Sequence, residues 1–128
     1  MDAYCKIVNI EARTTLDMAL QQILPAATAY TSSLCKTVIQ KDTIRITHTA
    51  ETALIKKLSK ATDALYTGCD KLSESLAAIP SDVEAAARYY CDIVIPQMSA
   101  IRAAADTLEQ LTDKSYWPYP TYSDLLFY

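Results

Sequence analysis

Residues 50–79, AETALIKKLSKATDALYTGCDKLSESLAAI, decide the fold. Ala50, Leu54, Leu58, Ala61, Leu65, Cys69, Leu72, Leu76 and Ile79 recur in steps of three and four, the stripe of a helix packing on other helices. Gly68 lies within that stripe and is expected to weaken it by about 1 kcal/mol relative to alanine. Pro80 closes the segment.

Working outward, Ser81-Asp82-Val83-Glu84 reads as a capping box, with Ser81 as cap and Glu84 reaching back. A helix follows, with Val83, Ala87, Tyr90, Val94, Ile101, Ala105, Leu108 and Leu111 on its seam. Upstream, Leu16, Leu20, Ile23, Ala27, Tyr30, Leu34 and Val38 form a third stripe from about Glu11, and Arg13 and Asp17 can pair one turn apart. Pro25 and Pro96 lie inside these patterns, where a missing N–H and a crowded turn predict kinks rather than stops. Residues 40–47 form the first connection. Residues 1–10 read as an extended lead-in, with residues 4–8 a possible strand remnant. The expected fold is all-α: an elongated up-down bundle of three long, proline-kinked antiparallel helices with an aromatic C-terminal tail, forming one domain over residues 1–128.

Composition agrees. At 128 residues the chain suits one domain, and its single glycine argues against the many tight turns of a sheet protein. A net charge of −3 leaves no electrostatic footprint for nucleic acid. Lys56, Lys57 and Lys60 read as a solvated face. No apolar run approaches the ~18 residues of a membrane span, and no signal-peptide pattern opens the chain. Cys5, Cys35, Cys69 and Cys91 lack CxxC or zinc spacing and are expected to be reduced and mostly buried, in a cytoplasmic protein.

The tail, residues 115–128, holds Tyr116, Trp117, Tyr119, Tyr122, Phe127 and Tyr128, six of the eleven aromatic side chains. So much apolar surface points to docking, on this bundle or on a larger assembly. The candidate docking residues are Tyr116, Trp117, Tyr119, Tyr122, Leu125 and Phe127, with a brief final turn over residues 123–127. No catalytic constellation appears. His48 lacks the lysine and glycine of a phosphotransfer bundle, and a haem held by His48 with Met18 or Met98 would lack a CxxCH attachment. Asp106 and Glu109 share a helical face as solvated carboxylates. No residue is assigned to catalysis, to a cofactor or to a metal.

Three stretches carry a family likeness: residues 9–27 (NIEARTTLDMALQQILPAA) followed by Tyr30, residues 90–102 (YCDIVIPQMSAIR), and residues 111–128 (LTDKSYWPYPTYSDLLFY). In order and at sensible spacing, they resemble the C-terminal helical region of type III glutamine synthetases. Residues 40–50 offer nothing that aligns. The resemblance implies an excised fragment, its Met1 added at the cut, of a large cytoplasmic bacterial enzyme that joins ammonia to glutamate using ATP and Mg or Mn. It also implies a dodecameric assembly, with the partners being the catalytic region of the parent chain and neighbouring subunits. Neither nucleic acid nor membrane is an expected partner. The catalytic and metal-binding region lies upstream in that family, so none of its site residues map here. The implied role is to support the catalytic body or subunit assembly. Two alternatives are a stand-alone helical adaptor that binds a partner, and a phosphotransfer or ligand-binding bundle centred on His48.

Overall fold

The structure is a computed structural model that describes residues 2–120. Among these the fold is all-α, with three helices packed antiparallel in sequence order and no strand. Helix α1 spans 2–43 as α-helix Asp2–Met18, a π turn Ala19–Ile23 and α-helix Leu24–Thr43. Helix α2 is Thr49–Leu76. Helix α3 spans 83–111 as Val83–Tyr89, a second π turn Tyr90–Val94, and Ile95–Leu111.

The extended lead-in expected over residues 1–10 is instead helical from Asp2. Val8 and Ala12 are buried and Cys5 packs against the core, so the inward stripe begins well before Glu11. Ile7 and Ile10, largely exposed on the same turns, blur that stripe. Helix α1 also runs on to Thr43, which shortens the first connection.

Both internal prolines produce the same local structure. Pro25 and Pro96 each follow a five-residue π turn by one residue, and the intervening Leu24 and Ile95 donate their N–H groups to Ala19 O and Tyr90 O, five residues back. Proline cannot donate to the carbonyl four residues back and its ring crowds that carbonyl, and the wider turn makes room. The extra residue also slips the seam. Val8 and Ala12 point inward before the first π turn, Ala19 and Ile23 at its two ends, and Ala27 after it.

The core is a leucine ladder on α2 set against small residues on α1. Leu58, Leu65 and Leu72 are fully buried beside Ala12 and Ala27, with Val94, Met98, Ile101 and Leu108 from α3. Each such leucine contributes about 1.5–3 kcal/mol of transfer free energy. Gly68 faces Ile101 of α3. A Cβ there would stand 3.1 Å from Ile101 Cγ1, so the glycine admits the third helix.

The cap of α3 is Asp82, not Ser81. Asp82 is extended and its carboxylate accepts from Ala85 N at 3.0 Å. With Asp82 as cap, the position three residues on is Ala85 and no capping box forms. A carboxylate also suits the positive end of the helix dipole better than a neutral hydroxyl. Two adjacent tyrosines then tie α3 to both neighbours. Tyr89 OH donates to Ser75 O at 2.7 Å, and Asn9 Nδ2 donates to Tyr90 OH at 2.8 Å. Asn9 Oδ1, held by that second bond, accepts from Arg13 Nε at 2.9 Å, which takes Arg13 away from the expected partner Asp17.

Candidate functional site

The described part of the tail folds onto its own bundle. Beyond Leu111 a turn is closed by Tyr116 N to Asp113 O at 2.9 Å and Trp117 N to Lys114 O at 3.2 Å. The turn places the Tyr116 ring against Tyr30 of α1, centroids 5.3 Å apart and tilted by 50°. Trp117 and Tyr119 then pack on the core cluster. Burial, together with the negative charge of Asp17, pushes the Tyr119 hydroxyl above its ordinary value. Of the expected docking residues, the structure brings together Tyr116, Trp117 and Tyr119. Tyr122, Leu125, Phe127 and the turn over 123–127 lie outside the described residues.

The other candidates are scattered. His48 sits in the α1–α2 connection, its Nδ1 2.9 Å from Thr52 Oγ1 and its Nε2 3.5 Å from Asp42 Oδ1. It ties the two helix ends together. Met98 is buried in the core and Met18 is part-exposed on α1, so the three haem-type candidates occupy separate surroundings. Asp106 and Glu109 are exposed, as are Lys56, Lys57 and Lys60. The four cysteines are free, but only Cys69 is buried; Cys5 and Cys35 are half-buried and Cys91 is exposed. Cys91 follows Tyr90 in the second π turn, where Tyr90 and Val94 take the inward positions. Among the described residues no three His, Cys, Asp or Glu side chains stand close enough to hold a metal ion, and no helix is long and apolar enough to cross a membrane.

One surface escaped the periodicity reading. Helix α3 ends beside Lys57, where Gln110 and Leu111 face Lys57 and Lys60 across a shallow groove. Beyond that level α1 and α2 continue as a two-helix arm. From residue 28 to residue 57 no side chain is buried, and Ile39, Ile44 and Ile46 at its tip are more than half exposed. Arg45 turns the connection with φ 60°. Lys41 donates to Glu51 across the arm, and that ammonium holds the Glu51 carboxyl below its ordinary value. The signal available was the isoleucine pair Ile44 and Ile46 in a segment otherwise read as a loop.

A family model, the glutamine synthetase C-terminal domain, matches residues 1–42, which takes in all of α1 but its last residue. Its likeness is to the C-terminal domain of glutamine synthetases. A glutamine synthetase of Butyrivibrio fibrisolvens is 29% identical over 131 residues, covering 99% of this chain and 19% of the relative. One from Bacteroides fragilis (strain YCH46) is 28% identical, covering 99% of the chain and 18% of the relative. A type-3 glutamine synthetase of Dictyostelium discoideum is 27% identical, covering 98% and 18%. The chain therefore spans about a fifth of the length of the glutamine synthetases it matches. The similarity takes in α1, the arm, both π turns and the tail.

Proposed function

We propose that these 128 residues serve as the non-catalytic C-terminal helical domain of a cytoplasmic glutamine synthetase, bracing the assembled enzyme rather than taking part in its chemistry. The observation that carries this reading is similarity along 99% of the chain to enzymes five times as long. The parent reaction, ligation of ammonia to glutamate with ATP and Mg or Mn, belongs on this account to the region that these residues adjoin. The described residues do not fit a metal site, since no donor cluster forms among them, and no step of the reaction is assigned to them.

The arm gives the bracing role its surface. Three exposed isoleucines at the end of a two-helix lever present apolar area of the kind that marks contact sites. The tail is the weaker candidate for an anchor on another body, because Tyr116, Trp117 and Tyr119 are already engaged with the bundle. On this reading the arm packs against the remainder of the synthetase oligomer. The test is the combined variant Ile39→Ser, Ile44→Ser, Ile46→Ser in the full-length enzyme, followed by sedimentation and synthetase assays. Smaller assemblies, with activity lost in step, are the expected result. An intact, fully active oligomer would remove the bracing role and favour a partner-binding adaptor. Deletion of residues 115–128 is a less clean test, since it also strips Trp117 and Tyr119 from the core.

A further inference from the structure

Charge is unevenly placed along this chain. Residues 28–57, the arm, hold five lysines and arginines against two carboxylates, a net +3. The rest of the sequence holds seven against thirteen, a net −6. The basic region is also apolar at its tip, where exposed Ile46 shares a hollow with Arg45 and Lys56. The body offers the converse. An apolar groove of about 540 Å³ between the first half of α1 and α3 is floored by Ile10, Met18 and Ile101, and at its edge Glu11 and Asp106 outnumber Arg102. We propose that the arm's partner is a second copy of this domain, the isoleucine tip of one copy seating in the acid-edged groove of the next.

This inference rests on the bracing role and names what the arm braces against. Charge selects the occupant. Two arms packed on each other would oppose +3 with +3, and like charges brought together across an interface disfavour it. The body carries the opposite sign, so the field of each copy steers the arm of another toward it. Apolar surface supplies the contact itself. Ile39, Ile44 and Ile46 on the tip and Ile10 on the groove floor are all more than half exposed, and the contact removes both sets from water together. The surfaces also fix the form of assembly. Tip and groove are different patches, so the contact is heterologous. Each pair leaves one tip and one groove free, and association continues past the dimer.

The experiment is sedimentation of the 128-residue chain from micromolar to millimolar concentration, with a charge swap. The unaltered chain should associate, and less so as salt rises from about 0.05 M to about 0.5 M. Arg45→Glu with Lys56→Glu reverses the tip, and Glu11→Lys with Asp106→Lys reverses the groove. Each double variant alone should associate about tenfold or more weakly. Mixed together they should associate again, because the reversed tip meets the reversed groove and the two unaltered surfaces meet each other. Misfolding of either variant could not give that recovery. A chain that stays monomeric throughout, or a mixture no better than its parts, overturns the proposal. Disulfide trapping locates the contact in a background of Cys5→Ser, Cys35→Ser and Cys91→Ser, with buried Cys69 kept. Ile46→Cys mixed with Met18→Cys should cross-link between copies, and Ile46→Cys mixed with Tyr66→Cys, exposed on α2, should give little. Equal trapping in both mixtures, or linkage chiefly between two Ile46→Cys chains, contradicts it. The bracing role is judged separately. If the isoleucine variants disperse the full-length enzyme while the 128-residue chain stays monomeric, bracing survives and the second copy is excluded as its partner.

Discussion

The body and the arm are built from the same two helices and differ in whether a third covers them. In the body, α3 lies along α2, and Leu58, Leu65 and Leu72 are completely buried. In the arm, residues 28–57, the apolar stripe continues through Tyr30, Leu34, Val38 and Leu54, yet each of these is only half-buried. Two helices can shield one strip of each other; closing a core takes a third element. Burial here follows from where α3 stops, at Leu111. The chain thus carries a buried core at one end and, at the other, a lever that presents Ile39, Ile44 and Ile46.

The largest expected contrast comes from truncating one leucine in each region. Leu65→Ala should cost about 2–5 kcal/mol, the range for a fully buried leucine. Leu54→Ala, in the arm, should cost about 1 kcal/mol, in line with an ordinary substitution. Urea unfolding of the two variants measures both, and equal losses would mean that the arm is as tightly packed as the body.

Next in size is the start of α3. Asp82→Ala should lose about 1 kcal/mol of cap, while Ser81→Ala should change stability by no more than a few tenths. A larger loss for Ser81→Ala would restore the capping box read from sequence.

Gly68→Ala sharpens the account of the body. In an open helix it would gain about 1 kcal/mol. Here the new methyl meets Ile101 Cγ1 at 3.1 Å, and the crowding should cancel or outweigh that gain. In an Ile101→Ala background the same change should become stabilising. A double-mutant cycle reads the difference directly, and additive effects would show that the two positions do not meet.

The smallest effect belongs to the arm. Because the Lys41 hydrogen bond lowers the Glu51 carboxyl, its contribution is complete above the ordinary carboxylate value and is lost as pH falls through the lowered one. Glu51→Gln should therefore flatten a slight acid-side loss of arm protection and leave the body unchanged. Amide exchange measured across that pH range checks it. A half-buried surface pair of this kind, at the tip of the arm, is worth little to global stability.

How much of this was legible follows from particular residues. Helix α2 was readable because nothing interrupts its period between Leu54 and Leu76. Helix α1 was not readable from its start, because exposed Ile7 and Ile10 share turns with buried Val8 and Ala12. Its seam also slips at the π turn before Pro25. The prolines announced an irregularity without stating its form. The aromatic surplus of the tail announced contact surface without naming what it meets, and the packing of Tyr116 on Tyr30 and of Trp117 and Tyr119 on the core of the same chain was not legible. The arm was illegible for a general reason. Periodicity tells which face of a helix is apolar, and the length of a neighbour decides whether that face is covered. The family likeness came from three long stretches in order, which no single physical pattern could replace.

The measurement that tests the central claim most directly is amide hydrogen exchange over residues 28–57, compared between the isolated 128-residue chain and the full-length synthetase. In the isolated chain the arm should exchange faster than residues 58–76. Under the proposed bracing role it should slow toward the rate of the body in the assembled enzyme. Arm exchange that is the same in both would contradict the account, leaving the lever exposed in the enzyme it is proposed to brace.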